Sequence, residues 1–132
     1  MEQLESLTKR SKKGATRVTK NSKIFKAIIE AIKEKKGENI VSLDLRKITE
    51  AVSDFFIVCE ASSAPQIRAI AENIEQKVKE KCGENPFHKE GIQNLHWVLI
   101  DYVNIVAHVM LPETRKFYAL EEMWNDAATA QQ

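Results

Sequence analysis

The chain has 132 residues, 43% hydrophobic and 30% charged, with a formal net charge of +1, which is the profile of one globular domain rather than of a disordered or fibrous chain. At this length it can bury most of the surface that its unfolded form exposes. No run of about 18 apolar residues occurs, and the basic, polar start has no apolar segment behind it, so neither a membrane span nor a secretory signal is expected and the protein should stay in the cytosol.

The charge is unevenly placed. Residues 1–36 hold eleven Lys or Arg against four Glu, a surplus of +7, while residues 37–132 hold nine against fifteen, a balance of −6. A basic arm on an acidic body suggests two kinds of surface contact, although lysines at an exposed helix end and a solubilising tail would give the same count. Residues 1–20 are rich in Lys, Ser and Thr and lack a hydrophobic period, so they are expected to form a flexible arm. If this arm touches RNA, Lys9, Arg10, Lys12, Lys13, Arg17 and Lys20 are its phosphate-binding groups.

From Ser22 the pattern changes. Ile24, Phe25, Ile28, Ile29 and Ile32 recur at helical spacing and Gly37 follows as a stop, which predicts an amphipathic helix. Val41, Leu43 and Leu45 alternate with Ser42, Asp44 and Arg46, the pattern of a strand with one wet face, lying nearer a sheet edge. Phe55-Phe56-Ile57-Val58-Cys59 is uninterrupted and suits a central strand. Ser63 with Gln66 three residues on, and Pro65 in the first turn, start a long helix through Ile67, Ile70, Ala71, Ile74 and Val78 that Gly83 ends. Residues 84–94 are expected to make a short extended segment and a turn.

Residues 97–101 and 105–111 read as a hairpin around Tyr102-Val103-Asn104. With Asp101 opposite Val106, Leu99 faces His108 and Trp97 faces Met110, all on one sheet face, which then carries an acid, an imidazole and an indole. The other face, Val98, Ile100, Ile105, Ala107 and Val109, should be core. Two readings of the polar groups stay open: a working patch, or edge and turn residues with ordinary partners. Pro112-Glu113 opens a last helix with Phe117, Leu120 and Trp124 along one side, and residues 127–132 are expected to be a disordered tail after a domain spanning 21–126. Cys59 and Cys82 lie outside any Cys-x-x-Cys pair, and His88, His96 and His108 lack zinc spacing with them. Both thiols are read as reduced and in the core, and neither metal nor cofactor is expected. The element order predicts an α/β (α+β) fold, a mixed sheet with helices packed on it.

The particular residues resemble the Iojap family of ribosomal silencing factors, also called RsfS. The resemblance rests on Asp54-Phe55-Phe56-Ile57-Val58-Cys59, Ser62 with Gln66 and Ala69-Ile70-Ala71, His88 with Glu90-Gly91, Trp97-Val98-Leu99-Ile100-Asp101-Tyr102, His108, and Glu113-Thr114-Arg115-Lys116-Phe117-Tyr118 with Leu120-Glu121 and Trp124. It implies a nucleotidyltransferase-like fold without the catalytic residues, and a factor that binds the large ribosomal subunit at its protein fourteen, on the inter-subunit face. Such a factor would sterically block joining of the small subunit and so repress translation under nutrient limitation. By the same resemblance Trp97, Asp101, Tyr102, His108, Glu113, Arg115 and Tyr118 are expected to form or directly support the ribosomal contact, in a protein that is a monomer when bound and a weak homodimer when free. The family usually has Gly-Asp where this chain has Val103-Asn104.

Two other classes compete with this one. A nucleotidyltransferase needs a Gly-Ser loop and an Asp-x-Asp pair holding two magnesium ions about 4 Å apart. Here the loop is Ala61-Ser62-Ser63-Ala64 and Asp101 is followed two residues later by Val103, so the chain is expected not to be an enzyme. An RNA-binding or ribosome-assembly factor on the same fold is the alternative. The acidic body, with no aromatics interleaved among Lys or Arg on a strand, argues against a general RNA module.

Overall fold

The computed structural model describes residues 22–48, 51, 53–123 and 127–132. The basic arm, Lys9, Arg10, Lys12, Lys13, Arg17 and Lys20 included, lies outside the described residues, as does Trp124. In chain order the elements are α1 (Lys23–Glu34), β1 (Glu38–Asp44), β2 (Phe55–Glu60), α2 (Ala64–Cys82), β3 (His88–Glu90), β4 (Trp97–Asp101), β5 (Ile105–Met110), α3 (Pro112–Tyr118), α4 (Leu120–Met123) and β6 (Ala128–Gln131). The strands form one mixed sheet in the order β3-β4-β5-β2-β1-β6, in which β2 and β5 run parallel and the other pairs antiparallel.

Two cores sandwich this sheet. On one face Phe55, Ile57, Cys59, Val98, Ile100, Ile105, Ala107 and Val109 pack against α1 and α2, which present the apolar stripes that their spacing predicted. On the other, Phe56, Val58, Leu99, Val106 and Met110 pack with Val41, Leu43, Leu45 and Leu120. Burial on both faces explains the unbroken apolar run of β2, since neither side of a central strand meets water. The helices are also joined across their outer edges, where Lys77 pairs with Glu34 at 2.7 Å and Lys81 with Glu30 at 2.9 Å. Cys59 is buried in the helical core, and burial pushes its thiol up to about 12; Cys82, at the end of α2, is only half-buried.

The caps show why the helices end where they do. The Ser63 hydroxyl accepts from the Gln66 N–H at 3.3 Å, and the Gln66 side chain accepts from the Ser62 N–H at 3.4 Å, a capping box returned one residue early. The Gln66 amide also donates to the carbonyls of Lys35 and Lys36, which ties the start of α2 to the end of α1. Ser63→Ala should therefore cost about 0.5–2 kcal/mol, read as a lower urea midpoint, with large-subunit binding retained. At the end of α1 the left-handed residue is Lys36, φ 60, and not Gly37. Gly37 is needed for closeness instead: a Cβ there would overlap the Ile32 side chain.

Three expectations are corrected. Residues 127–132 do not form a disordered tail: Ala128–Gln131 adds a strand along β1, and the following Gln132 N–H donates to the Ile40 carbonyl at 2.8 Å. β1 consequently has no wet face at its centre, because Ser42 is buried and accepts from the Gln132 side chain at 2.9 Å. The last helix is not continuous either. Ala119 adopts φ 46, and this left-handed residue divides it into α3 and α4. The break turns Leu120 into the core and leaves Phe117 exposed.

Candidate functional site

Hairpin β4–β5 has the predicted register: Trp97 opposite Met110, Leu99 opposite His108 and Asp101 opposite Val106. The indole, imidazole and carboxylate therefore share a face, but all three are buried. The Trp97 Nε1–H donates to His108 Nδ1 at 3.0 Å, and the Phe56 ring stands edge-on to the imidazole at 4.6 Å. A histidine that accepts through Nδ1 carries its proton on Nε2 when neutral. Burial keeps it neutral by pushing its pKa down to about 3. The unfolded chain, with an imidazole near 6.5, takes up a proton that the folded protein refuses. Stability from this group is thus complete above about pH 6.5 and lost as pH falls towards 3, by up to about 1.4 kcal/mol per pH unit. In denaturant titrations from neutral pH down to about pH 4, His108→Gln should flatten the acid slope by that amount; an unchanged slope would assign the loss to other groups.

Asp101 and Tyr102 serve the turn. Asp101 Oδ1 accepts from the Val103 N–H at 2.7 Å, and the Asn104 N–H donates to the Tyr102 carbonyl at 3.0 Å. With Val103 at φ 73 this is a γ-turn of the strained, positive-φ kind, built on a β-branched residue. Such strain costs about 1–3 kcal/mol, against about 0.5–1 kcal/mol for the extra freedom of an unfolded glycine. Val103→Gly should accordingly stabilise the protein by about 0.5–2 kcal/mol. A lower urea midpoint for this variant would show that the turn closes without strain. Tyr102 packs on the opposite, helical face, where burial raises its pKa.

Arg115, on α3, is also turned inward. Its Nη1 donates to the Asn39 carbonyl at 2.6 Å and to Glu60 at 3.1 Å, while Nη2 pairs with Glu121 at 3.1 Å. Of the seven residues expected to form or directly support the contact, Trp97, Asp101, Tyr102, His108 and Arg115 are each at most 9% exposed, which suits support more than direct contact. A side chain spent on internal bonds supports a surface rather than forming it.

What the structure brings together is a groove of about 890 Å³ between α3 and the loop of residues 91–96. Trp97 lies against it, Tyr118 packs on the indole at 4.9 Å between ring centroids, and exposed Glu113 and half-buried Thr114 line the helix side. Gly91, Gln93, Asn94 and His96 form the opposite wall. Phe117 lines the groove at 79% exposure, edge-on to Tyr118 at 4.9 Å. Of the seven predicted residues, then, Trp97, Glu113 and Tyr118 meet at one surface, and Phe117, Thr114 and the 91–96 wall are additions. Phe117 belongs to the motif Glu113–Tyr118, and its helical spacing puts it on one side with Leu120 and Trp124.

The Ser63 hydroxyl caps α2, and Asp101 braces the turn. Among the described residues, no helix is long and apolar enough to cross a membrane.

Residues 18–132 match the family model described as "Ribosomal silencing factor during starvation". A ribosomal silencing factor RsfS from Halalkalibacterium halodurans is 34% identical over 111 residues, covering 84% of this chain and 93% of that one. The solved structure of a Chromobacterium violaceum protein superposes with a TM-score of 0.73 at 37% identity, over 77% of this chain and 83% of that one. The mouse protein named "Mitochondrial assembly of ribosomal large subunit protein 1" is 34% identical over 74 residues, 54% of this chain and 32% of its own length. With the match running from before the first described helix to the last strand, this chain belongs to the RsfS family of ribosomal silencing factors.

Proposed function

We propose that this protein docks on the large ribosomal subunit through the groove between α3 and the 91–96 loop, contacting ribosomal protein fourteen on the inter-subunit face, and blocks joining of the small subunit by occupying its place. Translation is thereby repressed when nutrients are limiting, without a chemical step by the chain. The observation that carries this reading is Phe117, an aromatic side chain 79% exposed on a short helix beside an aromatic-lined groove. An aromatic this exposed adds little to the core and is the type of residue that dominates docking surfaces. The −6 balance of residues 37–132 suits a basic ribosomal protein. In sedimentation with purified large subunits, Phe117→Ala should weaken binding at least about fivefold with unchanged melting; full binding would remove the groove from the contact.

A second reading, a factor in assembly of the large subunit, is favoured by the name of the mouse relative. Purified mature subunits separate the two. A silencing factor reduces the joined fraction in a sucrose gradient, whereas an assembly factor acts on precursors and leaves joining of finished subunits as it was.

The arm adds an RNA contact in this proposal. Once the body is docked, Lys9, Arg10, Lys12, Lys13, Arg17 and Lys20 are tethered beside RNA-rich surface at high effective concentration. Deleting residues 1–20 should leave low-salt binding largely intact and make the affinity less salt-dependent; identical log-log slopes in potassium would exclude the contact.

A further inference from the structure

We infer that His108, which touches nothing outside the fold, is the positioning residue of the docking groove and acts by fixing the indole of Trp97. The inference rests on the docking reading above and deepens it. Trp97 and His108 are diagonal neighbours on one face of the β4–β5 hairpin, 3% and 0% exposed, joined by the 3.0 Å bond from Nε1–H to Nδ1. A buried indole N–H demands an acceptor, so the position of Nδ1 selects which edge of the indole faces inward. Nδ1 is itself held in place, because Phe56 stands edge-on to the imidazole at 4.6 Å and β5 is paired on both sides.

The chain of rings continues outward. The indole lies 4.9 Å from Tyr118 at an interplanar angle of 47°, and Tyr118 in turn carries Phe117 edge-on at 4.9 Å. The tilt of Tyr118, and with it the direction in which Phe117 projects, is therefore referred back through Trp97 to an imidazole in the core. Since His108 stays neutral down to about pH 3, the acceptor is present at every pH at which ribosomes work. A groove whose aromatic side chains are already set loses less freedom when its partner arrives, and each side chain that must instead be ordered on docking weakens binding by about three- to tenfold.

The test uses the full chain, purified large subunits and 15N-labelled tryptophan, with the two indole signals distinguished by Trp97→Phe. His108→Phe removes the acceptor while keeping an aromatic ring; His108→Gln keeps an acceptor in its amide oxygen. His108→Phe should shift and broaden the Trp97 indole N–H resonance and weaken binding by about three- to tenfold, measured well below its melting temperature, and His108→Gln should restore both. His108→Phe that binds as tightly as the native chain overturns the inference, and so does a His108→Gln whose indole signal is native but whose binding stays weak. Phe117→Ala separates this from the docking reading: if it weakens binding while His108→Phe does not, only the role of His108 fails, and if neither variant has an effect the groove itself is not the contact. Should His108→Phe not fold, the native protein decides, because a Trp97 indole N–H that exchanges with solvent as fast as an exposed one overturns the assignment.

Discussion

Gly91→Ala should be among the most damaging single changes in the described chain, costing about 3 kcal/mol or more and lowering the melting temperature by roughly 10 °C. Gly91 has φ 86, and a Cβ there would overlap the carbonyl oxygen of Trp97. The obstacle is backbone, so no side-chain rotation relieves it, and the left-handed φ adds its own penalty of about 1–2 kcal/mol for an alanine. The damage also has an address. Gly91 opens the loop that forms one wall of the groove, its carbonyl accepts from the Leu95 N–H at 2.9 Å, and Leu95 is itself left-handed at φ 58 with its side chain in the core. Displacing residue 91 moves that wall away from α3. Binding to large subunits should fall further than the lost stability explains, so at a temperature where both variants are fully folded Gly91→Ala should bind more weakly than Ser63→Ala. A Gly91→Ala protein that melts like the native one would mean that the loop closes by a different path.

The hairpin was legible because two independent patterns agree on it. Strict alternation sorted Val98, Ile100, Ile105, Ala107 and Val109 to one face, and the polar break after Ile100 located the turn, so the register followed. β6 was not legible, since Ala-Thr-Ala-Gln alternates only alanine with polar residues and offers little apolar surface. It is a strand because β1 offers it an outer edge, and that is a tertiary fact. The site was half legible. Motif residues line the groove and also form the scaffold beneath it, and spacing along the chain does not distinguish them. On an unbroken helix Phe117, Leu120 and Trp124 share a side, but the left-handed Ala119 separates Phe117 from Leu120. That one backbone angle is why Leu120 is buried while Phe117, on the same side by spacing, is exposed.

Arg115 tests whether the division between scaffold and contact is right. Its guanidinium reaches three separate parts of the chain: the Asn39 carbonyl at the start of β1, Glu60 at the end of β2 and Glu121 in α4. It therefore fastens the α3–α4 unit to β1 and β2, in addition to the Trp97–Tyr118 contact with β4. Arg115→Ala leaves Glu60 and Glu121, 19% and 34% exposed, without this cation, and strips a close hydrogen bond from the Asn39 carbonyl. Removing one partner from a fully buried pair costs about 3–5 kcal/mol. Because these carboxylates keep some access to water, the lower end, about 3 kcal/mol, is expected here. Arg115→Lys should recover only part of it, since one ammonium cannot span the forked Glu121 carboxylate in α4, Glu60 on β2 and the Asn39 carbonyl on β1. Equilibrium urea unfolding of the native protein and both variants measures this directly. The binding loss of Arg115→Ala should track its stability loss, in contrast to Phe117→Ala, which should lose binding alone. An Arg115→Ala variant with native stability and no affinity for large subunits would put the guanidinium on the partner's surface, and the internal bonds would then not be what holds α3 in place.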